Sequence, residues 1–311
     1  MRNAFAAALT EMAGLDERVV LLSGDIGNRL FDTFRERFPS RFYNCGVAEA
    51  NMTGMAAGMA LCGLRPFTYT ITPFATTRVI EQIRVDICYH NVPVTIVGTG
   101  SGLSYASLGP THHSCEDVGI MRCFPNLTVV CPADSAEVGP ALRATLNLPG
   151  PAYIRLGKKG EPVVHKSPPH FEIGRGIIML EGADVCLLGM GTMTAVALEA
   201  AALLEAAGVS ARVVSMHTVK PLDEALLAES FARFPVVGIV EEHSIIGGLG
   251  SAVAEWLARR DPCGARLEVF GTPDLFLSEA GSQAYMRQKC GLTAELIAER
   301  MLVRFRQRGL Q

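Results

Sequence analysis

The residues of this chain best placed to do chemistry are one acid, two histidines and a few flanking side chains. In residues 42–63, FYNCGVAEANMTGMAAGMALCG, Glu49 opens a helical pattern whose later positions are mostly small: Gly54, Ala56, Ala57, Gly58 and Ala60. Glycine in a helix is about 1 kcal/mol worse than alanine, so its use here points to close approach by another backbone or a flat ligand. An anion is also favoured in any first helical turn. Glu49 therefore reads either as a cap or as an acid–base group facing a ligand. Further on, GPTHHSCED (109–117) sets His112 and His113 beside Cys115, Glu116 and Asp117. Histidine suits proton transfer because its ordinary pKa lies near neutrality. A metal centre is the weaker reading, since adjacent histidines seldom converge on one ion and no second ligand pair is evident. Asp25 ends the apolar run VVLLSGD, Phe74 follows Pro73, and Arg78 comes one turn later, within reach of Glu81 or Glu49.

Parallel strands and their helices must position these groups. Residues 3–15 space Phe5, Leu9 and Met12 as one helical face. VVLLSGD reads as a buried parallel strand, whose end is where ligands gather in open α/β sheets. RPFTYTIT, a helix over 76–89 and VPVTIVGTG continue a βαβ rhythm. A glycine- and serine-rich loop then leads into GPTHHSCED, and PNLTVVCPAD and PAYIR supply further strands. EPVVHKSPPHFEIG carries three prolines and reads as a linker. Beyond it the alternation resumes through DVCLLGMGTMT, ARVVSMHTVKPLD, PVVGIVEEH and ARLEVFGTPD. GMGTMT lacks the third glycine and the ribose-binding acid of a dinucleotide fingerprint. The expected fold is α/β with two doubly wound α/β domains, 1–160 and 176–311, joined by a linker over 161–175. His243, at a strand end, is expected to cap a loop.

Bulk properties narrow the function. A chain of 311 residues with 49% hydrophobic content can bury two cores. A net charge of −3 without a long basic run gives little support to a nucleic-acid or membrane-surface role. No apolar run approaches the roughly 20 residues of a membrane span, and the start lacks a secretion signal. Nine cysteines without a CxxC pair suggest a reducing, cytoplasmic setting.

The phrase GVAEANMTGMAAGMALCGLRPF resembles the glutamate-bearing helix in the pyrimidine-binding domain of transketolase-like, thiamine-diphosphate-dependent enzymes. FATTRVIEQIR, GPTHHSCED, PNLTVVCPAD, PAYIR and EEHSIIGGLGSAVAE follow in that family's order, so the resemblance spans almost the whole chain. It implies that Glu49 hydrogen-bonds N1′ of the aminopyrimidine, that Phe74 stacks on that ring, and that Asp25 and Arg78 lie beside the cofactor. It places His112 at donor hydroxyls, as a proton-transfer group, with His113, Arg155 and Arg2 also on the substrate side. Leu108 and Gly100 depart from the polar residues usual there, which suggests a roomier, more apolar mouth and a modified acceptor. The preceding domain of full-length relatives, signed by GDG, is missing: GD occurs only at Gly24-Asp25. The resemblance therefore implies a separate diphosphate-binding subunit supplying Mg2+, a homodimer core of this chain and an α2β2 assembly. The activity implied is transfer of a two-carbon ketol unit from a ketose donor to an aldehyde acceptor. The beta subunit of a 2-oxoacid dehydrogenase's decarboxylating component and a deoxyxylulose-phosphate-synthase-like enzyme are the alternatives, and a catalytically idle scaffold is a third.

Overall fold

Alternating burial along each apolar run sets the architecture. In the first strand, Val19 and Leu21 face one side of a sheet and Val20 and Leu22 the other, all buried. A strand buried on both faces must lie inside a helix-covered parallel sheet. The computed structural model describes residues 1–311 apart from Asn28, Cys263 and 309–311. Its strands are β1 (Val19–Ser23), β2 (Phe42–Asn44), β3 (Arg65–Ile71), β4 (Thr95–Thr99), β5 (Thr128–Val130), β6 (Ala152–Leu156), β7 (Ile177–Leu180), β8 (Val185–Gly189), β9 (Ala211–Ser215), β10 (Thr218–Lys220), β11 (Val236–Ser244) and β12 (Arg266–Thr272).

The first sheet has the order β10-β5-β6-β4-β3-β1-β2 and is parallel except for β10 on β5. The second has the order β12-β11-β8-β9-β7 and is parallel except for β7 on β9. Two parallel-dominated α/β sheets are thus what the strand pattern led us to expect. Helices Arg2–Leu15 and Ser135–Leu146 cover one face of the first sheet, burying Phe5, Leu9, Val138 and Leu142. Helix Glu49–Leu61 covers the other. The core on that side runs from Met52 and Ile96 to Leu188, Val214 and Trp256, so one apolar mass joins the two sheets. β10 crosses as well: it follows the linker in sequence yet extends the first sheet.

The helix expected over 76–89 begins earlier, as Thr72–Ala75, and ends in a wide π-helical stretch, Ile83–Tyr89. Pro73 explains the early start, since its missing N–H suits a first turn. The Thr76 and Thr77 hydroxyls donate back to the carbonyls of Thr72 and Pro73, each at 2.8 Å. Phe74 consequently sits in the first turn, directly after β3.

No strand or helix lies between β6 and β7, and this segment is tied down by charge. The backbone N–H groups of Val164 and His165 donate to Asp134 Oδ2 at 2.7 and 3.0 Å, and His165 Nδ1 stands 3.0 Å from the same oxygen. His165 Nε2 lies 3.3 Å from Glu137 Oε1, which accepts from the Ser215 hydroxyl of β9 at 2.8 Å. Burial pushes the Glu137 carboxyl up to about 7. Burial alone lowers His165, but its bond to Asp134 and the charges of Glu137 and Asp134 outweigh that and raise it. A pKa raised by folding gives stability that is complete below the unfolded values, 4.5 and 6.5, and lost as pH rises through the folded ones. The thermal midpoint is therefore expected to fall between about pH 5 and pH 8, and Glu137→Gln to flatten that slope. Equal slopes in variant and parent would remove this cluster as the source.

Candidate active site

The carboxyl ends of β1 and β3 lie side by side and set the position of Glu49. Glu49 is the first residue of its helix and is 2% exposed. Its Oε2 accepts from Arg78 Nη1 at 2.8 Å, and its Oε1 receives only a long contact, 3.4 Å, from the Thr70 hydroxyl of β3. A Cβ on Gly24 would lie 2.9 Å from Thr70 Oγ1 and 3.5 Å from Glu49 Oε1, so the glycine after β1 leaves the carboxylate its room. Asp25 is in the left-handed region at φ 58 and accepts from Asn44 Nδ2 at 2.8 Å. Asn44 in turn accepts from the Gly46 N–H at 2.9 Å, which fixes the turn leading into Glu49. Asp25 also lines a groove of about 400 Å3 with Ser23, Gly27, Arg29 and Asn44. Of the small residues near Glu49, Gly46 and Gly58 would each have nothing within 4 Å of an added Cβ, so this surface is open.

From Glu49 a continuous line of side chains runs outward. The Arg78 guanidinium, 44% exposed, lies 3.9 Å over the Phe74 ring. Phe74 meets His112 edge to face at 5.4 Å, and His112 lies 6.1 Å from Tyr105. Lys158 Nζ sits 4.2 Å over the Tyr105 ring. His112 Nδ1 is 3.0 Å from Thr111 Oγ1. The structure thus brings Glu49, Arg78, Phe74 and His112 together, with Asp25 one residue from Gly24.

His113 diverges from its neighbour. It lines a cleft of about 630 Å3 whose wall includes Pro73, Thr77 and Thr111, next to Phe74 and His112, together with Cys115, Glu116 and Phe276. Its Nε2 is buried without a partner, and burial lowers its pKa. Arg2 is ordered in the first turn of its helix, with Nε buried and unpartnered. Burial raises the phenols of Tyr69 and Tyr105, and the Arg2 charge works against that at both, which places its guanidinium near them.

Arg155 corrects an expectation. It is buried, with Nε 2.8 Å from Asp117 Oδ2 and Nη2 3.2 Å from Oδ1. Nη2 also donates to the carbonyls of Ser114 at 3.1 Å and Glu242 at 2.9 Å. Nε and Nη2 are committed inside the protein and the side chain is only 5% exposed, so it braces structure rather than gripping substrate. The gap expected at Gly100 is likewise absent: an added Cβ would lie 1.9 Å from Tyr105 Cε2, so that ring fills the space. Leu108, 52% exposed, does keep an apolar side chain at the surface.

Three residues that border or brace this arrangement were not singled out from the sequence. Lys158 lies two residues past β6, at the same carboxyl edge, and that location was the available signal. Tyr105 gave no pattern to read. Glu242 accepts from the Leu103 N–H at 2.6 Å and from Gln283 Nε2 at 2.9 Å, and pairs with Arg287. Gly102 and Ser114 exchange both backbone hydrogen bonds at 3.0 Å, closing the loop that carries Tyr105 and His112. Glu242 and Arg155 hold that closure from beneath. His243 is structural: Nδ1 donates to the Ser244 carbonyl at 2.8 Å, and Nε2 accepts from the Gly119 N–H at 3.1 Å. Glu241 caps the helix Leu249–Leu257 through the N–H groups of Leu249 and Gly250, at 2.7 and 2.9 Å.

A buried carboxylate with one underused oxygen, beside an aromatic face, fits a flat heterocycle with a basic ring nitrogen. Among the described residues no group of three or more His, Cys, Asp or Glu side chains could hold a metal ion. No helix among them is long and apolar enough to cross a membrane.

Comparison with known proteins matches the chain in two segments. Residues 1–161 fit the family model of the transketolase pyrimidine binding domain, and residues 174–297 that of the transketolase C-terminal domain. A 6-deoxy-6-sulfo-D-fructose transketolase subunit, SqwH, of Clostridium sp. (strain MSTE9) is 39% identical over 298 residues, 96% of this chain and 92% of that protein. An apulose-4-phosphate transketolase subunit of Phocaeicola vulgatus is 32% identical over 275 residues, 88% of this chain and 87% of that one. A solved structure described as a split gene transketolase in an inactive beta4 tetramer superposes with a TM-score of 0.88 at 39% identity, over 98% of this chain and 96% of that one.

Proposed function

The chain belongs to the transketolase family, and from that premise we propose that it is one subunit of a split, thiamine-diphosphate-dependent transketolase. The reaction is transfer of a two-carbon ketol unit from a ketose to an aldehyde, with a modified sugar among the substrates. The observation that carries the reading is Glu49: a buried carboxylate at a helix start, one oxygen held by Arg78 and the other nearly free, with Phe74 alongside.

Thiamine diphosphate, when bound, supplies the carbanion chemistry. This chain's residues supply proton control and position. Glu49 holds a proton against the ring nitrogen N1′, Arg78 fixes the carboxylate's orientation, and Phe74 offers the stacking face. Stacked rings of this kind contribute about 0.5–1.5 kcal/mol beyond area burial. Asp25 steadies the turn before Glu49 at the cofactor's edge. His112 moves a proton at the donor's hydroxyl, and Arg2 with Lys158 meets an anionic end of the sugar. His113 lines the adjoining cleft, whose wall includes the residues flanking Phe74 and His112, on the substrate side of the same loop.

The diphosphate and its Mg2+ belong to a separate subunit, docked where the open small-residue surface around Gly46 and Gly58 and the carboxyl edge of the first sheet meet it. The assembly in this reading is α2β2 on a homodimer core of this chain, in a reducing, cytoplasmic compartment, with which the free cysteines among the described residues agree. The relatives' names support a modified sugar: sulfofructose in one and apulose 4-phosphate in the other. The inactive beta4 tetramer supports the need for a partner.

The test is reconstitution with a diphosphate-binding partner subunit, followed by assays of ketol transfer from ketose donors and of pyruvate decarboxylation. Ketol transfer is expected only from the mixture. Full activity of this chain alone with bound cofactor would overturn the split assembly, and turnover of pyruvate without ketose would favour the 2-oxoacid dehydrogenase reading.

A further inference from the structure

The loop closed by Gly102 and Ser114 places one aromatic ring where the backbone itself requires a gap. Gly100 has φ +73, a conformation that side chains rarely adopt, and its Cβ position lies 1.9 and 2.5 Å from two atoms of the Tyr105 ring. Position 100 and Tyr105 therefore act as a pair: the glycine leaves the space, and the ring occupies it. On one side the ring faces His112, 6.1 Å away. The Lys158 ammonium lies 4.2 Å over its centroid. At that distance the ring's negative face attracts the cation and fixes it.

The surrounding charges are uncompensated. Among the described residues neither Lys158 nor Arg2 pairs with a carboxylate, and Glu161, the acid nearest to Lys158 in sequence, is held by the Met1 ammonium at 3.0 Å. Arg2 Nε is buried without a hydrogen-bond partner. Half-buried cations beside one ring, one of them with a buried N–H unspent, are the groups an anionic ligand would satisfy.

We propose that Tyr105 is a specificity-determining residue of this site, a wall that replaces a polar contact at position 100 and aims Lys158 at the anionic terminus of a ketose. The inference rests on the transketolase reading and adds to it the group that sorts donors. Sugars with a charged end gain the ammonium held on the ring. Neutral sugars meet an apolar wall in its place.

The experiment uses the enzyme assembled with its partner subunit and thiamine diphosphate. D-Fructose 6-phosphate and D-fructose are compared as donors for the parent, Tyr105→Ala and Tyr105→Phe. Direct binding of both sugars is measured by calorimetry, and circular dichroism confirms folding. Loss of the ring is expected to reduce the preference for the phosphorylated donor by about tenfold or more, mainly through KM and with matching loss in calorimetric affinity. Tyr105→Phe keeps the ring and is expected to retain most of the preference. An unchanged preference in Tyr105→Ala, or an equal fall in kcat for both donors, overturns the proposal. Selective binding without ketol transfer in the parent, abolished in Tyr105→Ala, supports Tyr105 while rejecting the transferase reading.

Discussion

Glu49→Gln in the assembled enzyme is expected to lose ketol transfer by about 10³-fold, within the range that removal of a general acid–base group produces. The substitution keeps the side chain's shape and its place at the helix start, so the loss isolates the carboxyl group's ability to exchange a proton. Glu49→Ala is expected to be at least as damaging. Neither change should unfold the chain. Arg78, the partner of Glu49 at 2.8 Å, is 44% exposed and returns to water when released, so neither substitution strands a buried charge. Cofactor titration of the assembled variants, alongside turnover, separates failed binding from failed proton transfer. Retention by Glu49→Gln of more than about a tenth of parental turnover would end the assignment of Glu49 as the acid–base group.

Asp117→Asn should lower the unfolding free energy by about 3–5 kcal/mol, because removing one member of a buried ion pair leaves the other charge uncompensated. Asp117 accepts from Arg155 through both oxygens and from the Tyr153 hydroxyl at 2.6 Å, with no side-chain exposure. Arg155 also carries the Ser114 and Glu242 carbonyls, so the loop bearing His112 and Tyr105 and the junction between the two sheets loosen together. Burial acts to raise the Asp117 pKa, and the Arg155 charge with the hydrogen bonds from Arg155 and Tyr153 overcomes it, leaving a net lowering. A lowered carboxyl pKa gives stability that is present above the unfolded value of 3.8 and lost as pH falls through the folded one. The variant is therefore expected to lose part of the parent's acid sensitivity as well as its denaturation midpoint. A urea midpoint within the error of the parent would show that this pair contributes little.

Legibility in the sequence followed the range of the interactions concerned. Two α/β domains could be read because strand and helix periodicities are local: Val19 to Leu22 alternate whatever lies across the sheet. The small-residue helix announced a close approach before any partner for Glu49 was known. The carboxyl edge of the sheet was likewise implied, since parallel strands must all point one way.

What chain order leaves undetermined is which distant side chains meet. Arg155 ends a strand at that edge and is positively charged, features equally suited to gripping a substrate, and only its buried contact with Asp117, 38 residues away, turns it inward. Gly100 read as a missing group because a sequence records an absent side chain but not the ring that fills its place. Glu242 and Lys158 owe their roles to a loop folded between two sheets. Residue types and local spacing decided the elements and the nature of the chemistry, because helix and strand preferences act over a few residues. Tertiary structure decided which charges face the ligand and which brace the protein, because burial and pairing depend on neighbours that the chain brings together only on folding.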